Sequence, residues 1–121
     1  GIKQMKHTVS MKENDLFRRL YTKGKSAATG LLAVYVRPNR QGRNRLGLTV
    51  GTKVGKAVRR NKVRRRIREA YRIHEEMMTT GWDIVVVARV RSAFAGYAEL
   101  ERDLLRLLDK LGVREKWEKR R

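Results

Sequence analysis

The sequence predicts an α+β fold built as a single domain over residues 1–121. Three features predict it. Residues 31–36 (LLAVYV), 45–50 (RLGLTV) and 83–88 (DIVVVA) are short runs rich in β-branched and aliphatic residues, bounded by turn-forming ones. Residues 13–24, 57–77 and 97–111 instead repeat apolar side chains three and four positions apart, as a helix with one buried stripe does. Hydrophobic residues make up 40% of the chain, enough for a modest core.

In chain order, residues 1–12 are polar and basic and are expected to be extended or poorly ordered. ENDLFRRLYTKG reads as a short helix closed by Gly24, with Leu16 and Leu20 toward the core. Phe17 and Tyr21 form a second four-apart pair on an adjacent face, and spacing alone fits them as ordinary core aromatics. KSAATG at 25–30 is small and polar and reads as a linker. In the strand 31–36, Leu31, Ala33 and Tyr35 point one way and Leu32, Val34 and Val36 the other, so cover on both faces is expected. Residues 37–44 carry every turn signal, with three Arg and no acid. The strand 45–50 then fits an antiparallel hairpin with 31–36. A basic helix should run from Ala57 to about Met77, ended by Thr79-Thr80-Gly81. The unbroken apolar run 84–88 suits a central strand, and 89–96 reads as a linker. The last helix buries Leu100, Leu104, Leu107, Leu108 and Leu111, with Gly112 as its C-cap and a charge-balanced outer face. The basic tail 113–121 is expected to fray, as flexible as residues 1–12.

Charge is the strongest compositional signal. The formal net charge is +19. Residues 53–72, KVGKAVRRNKVRRRIREAYR, hold ten Lys or Arg against one Glu. At 100° per residue, Val63, Ile67, Ala70 and Tyr71 share one face of this helix. Asn61, Arg65, Arg68 and Arg72 share roughly the opposite one. Self-repulsion at this charge is relieved by an anionic partner, nucleic acid first and an anionic membrane second. Asn61 can donate and accept at once, which a bare cation cannot; as a helix cap or a local backbone bond it would have a purely structural use.

Other chemistries find little support. No run approaches the ~18 apolar residues of a membrane helix, and no stretch has the make-up of a signal peptide, so a cytoplasmic location is expected. Without Cys there is no disulfide or thiolate metal site. His7 and His74 have no partners at ligand spacing, and the carboxylates are scattered rather than paired. Gly51-x3-Gly55-Lys56 lacks the spacing and the Ser/Thr of a phosphate loop.

The order GLTVGTKVGKAVRRNKVRRRIREAYR, residues 47–72, resembles the signature of the bacterial ribonuclease P protein component, K-x-G-x-A-V-x-R-N-[RK]-x-[KR]-R-x-x-R-E. Lys53, Gly55, Ala57, Val58, Arg60, Asn61, Lys62, Arg64, Arg65, Arg68 and Glu69 fall on this RNR motif without a gap. An N-x-x-F-x-x-x-[FY]-x-x-G helix (14–24), a strand bearing Tyr35, and DIVVVAR (83–89) extend the likeness over roughly residues 10–111.

The resemblance implies an α/β sandwich of order αβββαβα, with a mixed sheet of about four strands and a left-handed βαβ crossover through the basic helix. It implies the small subunit of a ribonucleoprotein that removes 5′ leaders from precursor tRNA. The RNA subunit, with Mg²⁺, would perform the hydrolysis, leaving no catalytic residue, protein metal ligand or obligate protein partner on this chain. By residue, it implies RNA-subunit contacts from Lys53, Lys56, Arg59, Arg60, Asn61, Lys62, Arg64, Arg65, Arg68 and Arg72. The leader would lie in a cleft against Phe17, Tyr21, Ser26, Ala33 and Tyr35, moving the aromatics from plain core to stacking platforms. Thr29-Gly30 stands where the family commonly has Asn-Arg, and Gly51-Thr52 where it has Ser-Lys, which removes polar partners at both places. A ribosomal-type RNA binder of similar charge, or a nuclease acting alone, are the competing readings.

Overall fold

The computed structural model describes residues 5, 7–11 and 14–114. Among them are five strands, β1 (Thr8–Ser10), β2 (Lys25–Ala28), β3 (Leu32–Pro38), β4 (Asn44–Val50) and β5 (Trp82–Ala88). Three helices accompany them, α1 (Asn14–Lys23), α2 (Ala57–Ile73) and α3 (Tyr97–Lys110). From α1 onward the order is αβββαβα, as the family resemblance implies, and β1 adds a fifth strand in front.

The strands form one mixed sheet, β1-β4-β5-β3-β2, with β1, β4 and β5 parallel to one another and β3 antiparallel to β5 and β2. The apolar run of β5 therefore sits at the centre, as expected. The expected hairpin between β3 and β4 does not form, because β5 lies between them and pairs with both. The loop between β3 and β4 instead crosses the start of β5, where Asn39 N–H donates to the Gly81 carbonyl at 2.8 Å.

Each face of the sheet has its own cover. Leu32, Val34, Val36, Leu46, Val50, Ile84, Val86 and Ala88 meet Val63, Ile67, Ala70 and Tyr71 of α2 and the leucines of α3 in the main core. On the other face α1 packs, and Met11, Leu20 and Val85 form a small second core with Phe17, Tyr35 and Val87 half-buried around it. The 31/33/35 face of β3, expected to be covered, is thus only partly so. The Leu16 side chain lies outside the described residues.

Two further expectations are corrected, and a third is narrowed. Residues 25–28 are an edge strand rather than a linker; pairing with β3 (Ser26 opposite Tyr35, Ala28 opposite Ala33) overrides their weak strand propensity. Residues 8–10 take the extended form, one of the two expected of them, and they pair with β4. Finally, α2 stops at Ile73, short of Met77, and a 3-10 turn, Glu75–Met77, follows. That break turns Glu75 inward, where its carboxylate accepts the His7 N–H at 3.1 Å. The start of the tail is anchored too. Val113 is buried, and its carbonyl accepts the Thr79 N–H and hydroxyl at 2.7 and 2.9 Å. Residues 115–121 lie outside the described residues.

Candidate nucleic-acid interface

The basic helix buries the stripe its spacing predicts and exposes the rest. Val63, Ile67, Ala70 and Tyr71 are buried, while Asn61, Arg65 and Arg68 are exposed on the opposite side. A 3-10 turn, Thr52–Val54, and Gly55 lead into α2; Gly55 has φ +149°, and a Cβ there would meet the Arg59 side chain at 2.8 Å. Lys56 is the N-cap and makes no side-chain cap bond, and the first turn holds no acid. The free N–H groups of this helix end therefore add to the field of the cations around it.

The ten candidate RNA-subunit residues do not form one patch. Asn61, Arg65 and Arg68 make an outer stripe, with Arg72 at its end in a bidentate pair with Glu69. That pairing holds the Arg72 guanidinium above its usual pKa. Arg60 and Arg64 are half-buried; the Arg60 Nε is buried without a partner among the described residues. Lys56, Arg59 and Lys62 line a groove on the other flank with Gly55, Val58 and Ala93. There the Arg59 guanidinium lies 5.4 Å from the centre of the Phe94 ring. Lys53 is exposed in the preceding turn. Asn61 is no cap: it sits within the helix and accepts from Arg64 Nη1 at 3.1 Å.

The second candidate surface is the half-open sheet face beside α1. Register sets it out in rows. Ser26, Tyr35, Val85 and Gly47 lie side by side across four strands, and Ala28, Ala33, Val87 and Thr49 form the next row. Phe17 rests on Gly47, and the exposed Tyr21 stands edge-on to Tyr35, ring centres 4.8 Å apart at 68°. The small side chains of the second row leave a shallow floor beside this aromatic wall. Phe17, Arg18 and Tyr21 line a groove with Thr49 and with Arg64 of α2. Phe17 and Tyr35 thus both pack on the second core; Phe17 also lines the groove, and Tyr35 meets it through its contact with Tyr21.

Sequence reasoning overlooked Arg89 and Arg91. Arg89 Nη1 donates to the Thr29 carbonyl at 3.0 Å, and the Arg91 guanidinium lies against Gly30, 3.0 Å from where a Cβ would be. Cations therefore stand at the end of the sheet face where Thr29-Gly30 offers no charged side chain. Their only advance signal is the basic pattern of residues 89–91. Gly51 has open space around it and Thr52 is exposed, so neither supplies a cation before α2.

Among the described residues no three His, Asp or Glu side chains gather at ligand distances. His74 Nε2 lies 3.1 Å from Glu101 and the Tyr97 hydroxyl donates to the same carboxylate at 3.1 Å, a solvent-edge cluster on α2 and α3. No helix among the described residues is long and apolar enough to cross a membrane.

Comparison with known proteins gives a consistent answer. A family model described as Ribonuclease P matches residues 5–112. The ribonuclease P protein component of Alkaliphilus oremlandii (strain OhILAs) is 41% identical over 109 residues, covering 90% of this chain and 96% of that protein. The same component of Clostridium botulinum (strain 657 / Type Ba4) is 45% identical over 109 residues, covering 85% and 98%. A solved Staphylococcus aureus RNase P protein superposes with a TM-score of 0.81 at 34% identity, covering 88% of this chain and 97% of that one.

Proposed function

This chain belongs to the ribonuclease P protein family, and from that premise we propose how it serves 5′ maturation of tRNA. It binds the ribonuclease P RNA subunit through α2 and holds the 5′ leader of precursor tRNA in the groove beside α1. Hydrolysis falls to the RNA subunit. Mg²⁺ at the reacting phosphate would be held by the RNA subunit. The tRNA substrate would put this work in the cytoplasm.

The two surfaces have different duties. The outer stripe of α2 lowers the repulsion between two RNA molecules by replacing their counterions. Six to ten phosphate contacts would make affinity fall by roughly 10³–10⁵ between 50 and 200 mM salt. The groove grips an unpaired strand: bases stack on Tyr21, Tyr35 and Phe17, and the small floor lets the backbone approach. The observation that most supports this reading is the position of Arg64, which belongs to the basic helix and lines the aromatic groove. A strand in the groove would therefore run directly onto the RNA-binding helix.

Replacement of Tyr35 tests the groove. With the RNA subunit present, Tyr35→Ala should weaken binding of leader-bearing precursor roughly 5- to 150-fold, from a stacking loss of about 1–3 kcal/mol. Affinity for mature tRNA should hardly change. Equal losses for both ligands would remove the leader from the groove.

A further inference from the structure

We propose a second RNA-backbone site on the same sheet face, on the far side of α1 from the leader groove; the proposal rests on the function just described. Register places Arg37, Asp83 and Arg45 side by side, one row beyond Tyr35, Val85 and Gly47. Arg19 and Lys23 of α1 and Arg40 of the β3–β4 loop close a basin over this row.

Asp83, the one acid in the basin, is already saturated. Arg45 donates to it from Nε and Nη2, both at 2.6 Å, and Asn39 Nδ2 adds a third bond at 3.0 Å. Arg19, Lys23, Arg37 and Arg40 have no acidic partner among the described residues, and all but the half-buried Arg37 are exposed. Four uncompensated cations thus face one concave surface.

The loop that carries Arg40 is held rather than loose. Arg40 itself has φ +60°, a conformation side chains seldom adopt. Asn39 fixes it, accepting the Gln41 N–H at 2.8 Å and donating to the Arg43 carbonyl at 3.1 Å. Backbone strain maintained by surrounding bonds at an exposed Arg points to a positioned side chain.

Phosphodiester oxygens are the chemistry that matches, because guanidinium forks pair with them and the basin is open to an extended chain. A helix is about 10–12 Å across with its side chains, so a single RNA strand could pass from the groove around the end of α1 into the basin. The phosphates could come from that leader or from the RNA subunit.

The test uses holoenzyme reconstituted with a bacterial ribonuclease P RNA. A basin variant, R19Q/K23Q/R40Q, is compared with R102Q/R106Q/K110Q, which removes the same charge from the outer face of α3. One arm measures binding of the RNA subunit alone against salt. The other measures precursor binding with a leader that ends inside the groove and one long enough to pass α1. The basin variant should lower the log–log salt slope by about 2 more than the control, near 0.7 for each single-strand phosphate no longer neutralised. A loss in the first arm assigns the phosphates to the RNA subunit; a loss only with the long leader assigns them to the leader. R19K/R40K, which keeps the charge, should retain the wild-type slope. Indistinguishable basin and control variants in both arms would overturn the site. Wild-type protein that neither binds the RNA nor promotes cleavage would instead overturn the function on which the site rests.

Discussion

Phe17 rests on a residue without a side chain, and that close approach shapes the groove. A Cβ at position 47 would lie 2.5 Å from Cζ of Phe17 and 3.2 Å from the Met11 carbonyl. Gly47→Ala should therefore push the ring off the sheet. The expected result is a stability loss of about 1–3 kcal/mol in urea unfolding, from overpacking, together with weaker leader binding and unaltered mature tRNA binding. Tyr71 is the corresponding anchor on the opposite face. Its hydroxyl bonds Thr8 Oγ1 at 2.9 Å and receives Asn44 Nδ2 at 3.2 Å. Burial, foremost, raises its pKa above the usual 10. Because the folded pKa is the higher one, its contribution to stability is complete below about pH 10 and is lost as pH rises from there through the folded value. Tyr71→Phe should cost about 1–3 kcal/mol at pH 7, by stranding buried partners, and should soften the alkaline loss in unfolding curves. Some alkaline dependence will remain, because Tyr97 is also raised, by desolvation first and then by its bond to Glu101. The inward face of Tyr71 was legible from helical spacing alone. Its hydrogen bond was not, since Thr8 is 63 positions away.

Elements whose signal is periodic were the most legible. The buried stripes of α2 and α3 and the central place of β5 follow from local pattern, which burial reinforces. β1 and β2 are short and polar, and only pairing with β4 and β3 makes strands of them. Pairing across a sheet is a non-local event, so residues 31–36 and 45–50 fit a hairpin in sequence although β5 lies between them in space. Asn44 shows the same limit. Read as a loop residue, it is fully buried and joins three segments, donating to Tyr71 and to the Thr79 carbonyl and accepting the Trp82 N–H. The basic run 53–72 did identify α2 as a helix with exposed cations, but not how they divide between an outer stripe and two flanks. The outer stripe allows a prediction for the element as a whole. Arg65→Ala with Arg68→Ala should weaken assembly with the RNA subunit and reduce the salt slope by about 1–2, as two phosphates regain their counterions. An unchanged slope would move the RNA-binding surface to another face of the helix.

At the scale of the whole molecule, the two faces of the sheet differ in cover. One carries the main core under α2 and α3. The other is only partly covered by α1, and its uncovered parts are an aromatic groove and a cationic basin. A chain with a net charge of +19 and a half-open sheet face is suited to association with a polyanion. The central claim is that this polypeptide supplies grip and charge neutralisation while RNA breaks the bond. An omission experiment tests that most directly. The protein, a bacterial ribonuclease P RNA and a precursor tRNA are incubated at low Mg²⁺, each component left out in turn. Leader removal should require the RNA and rise several-fold or more when the protein is added. Cleavage by the protein without the RNA would contradict the account.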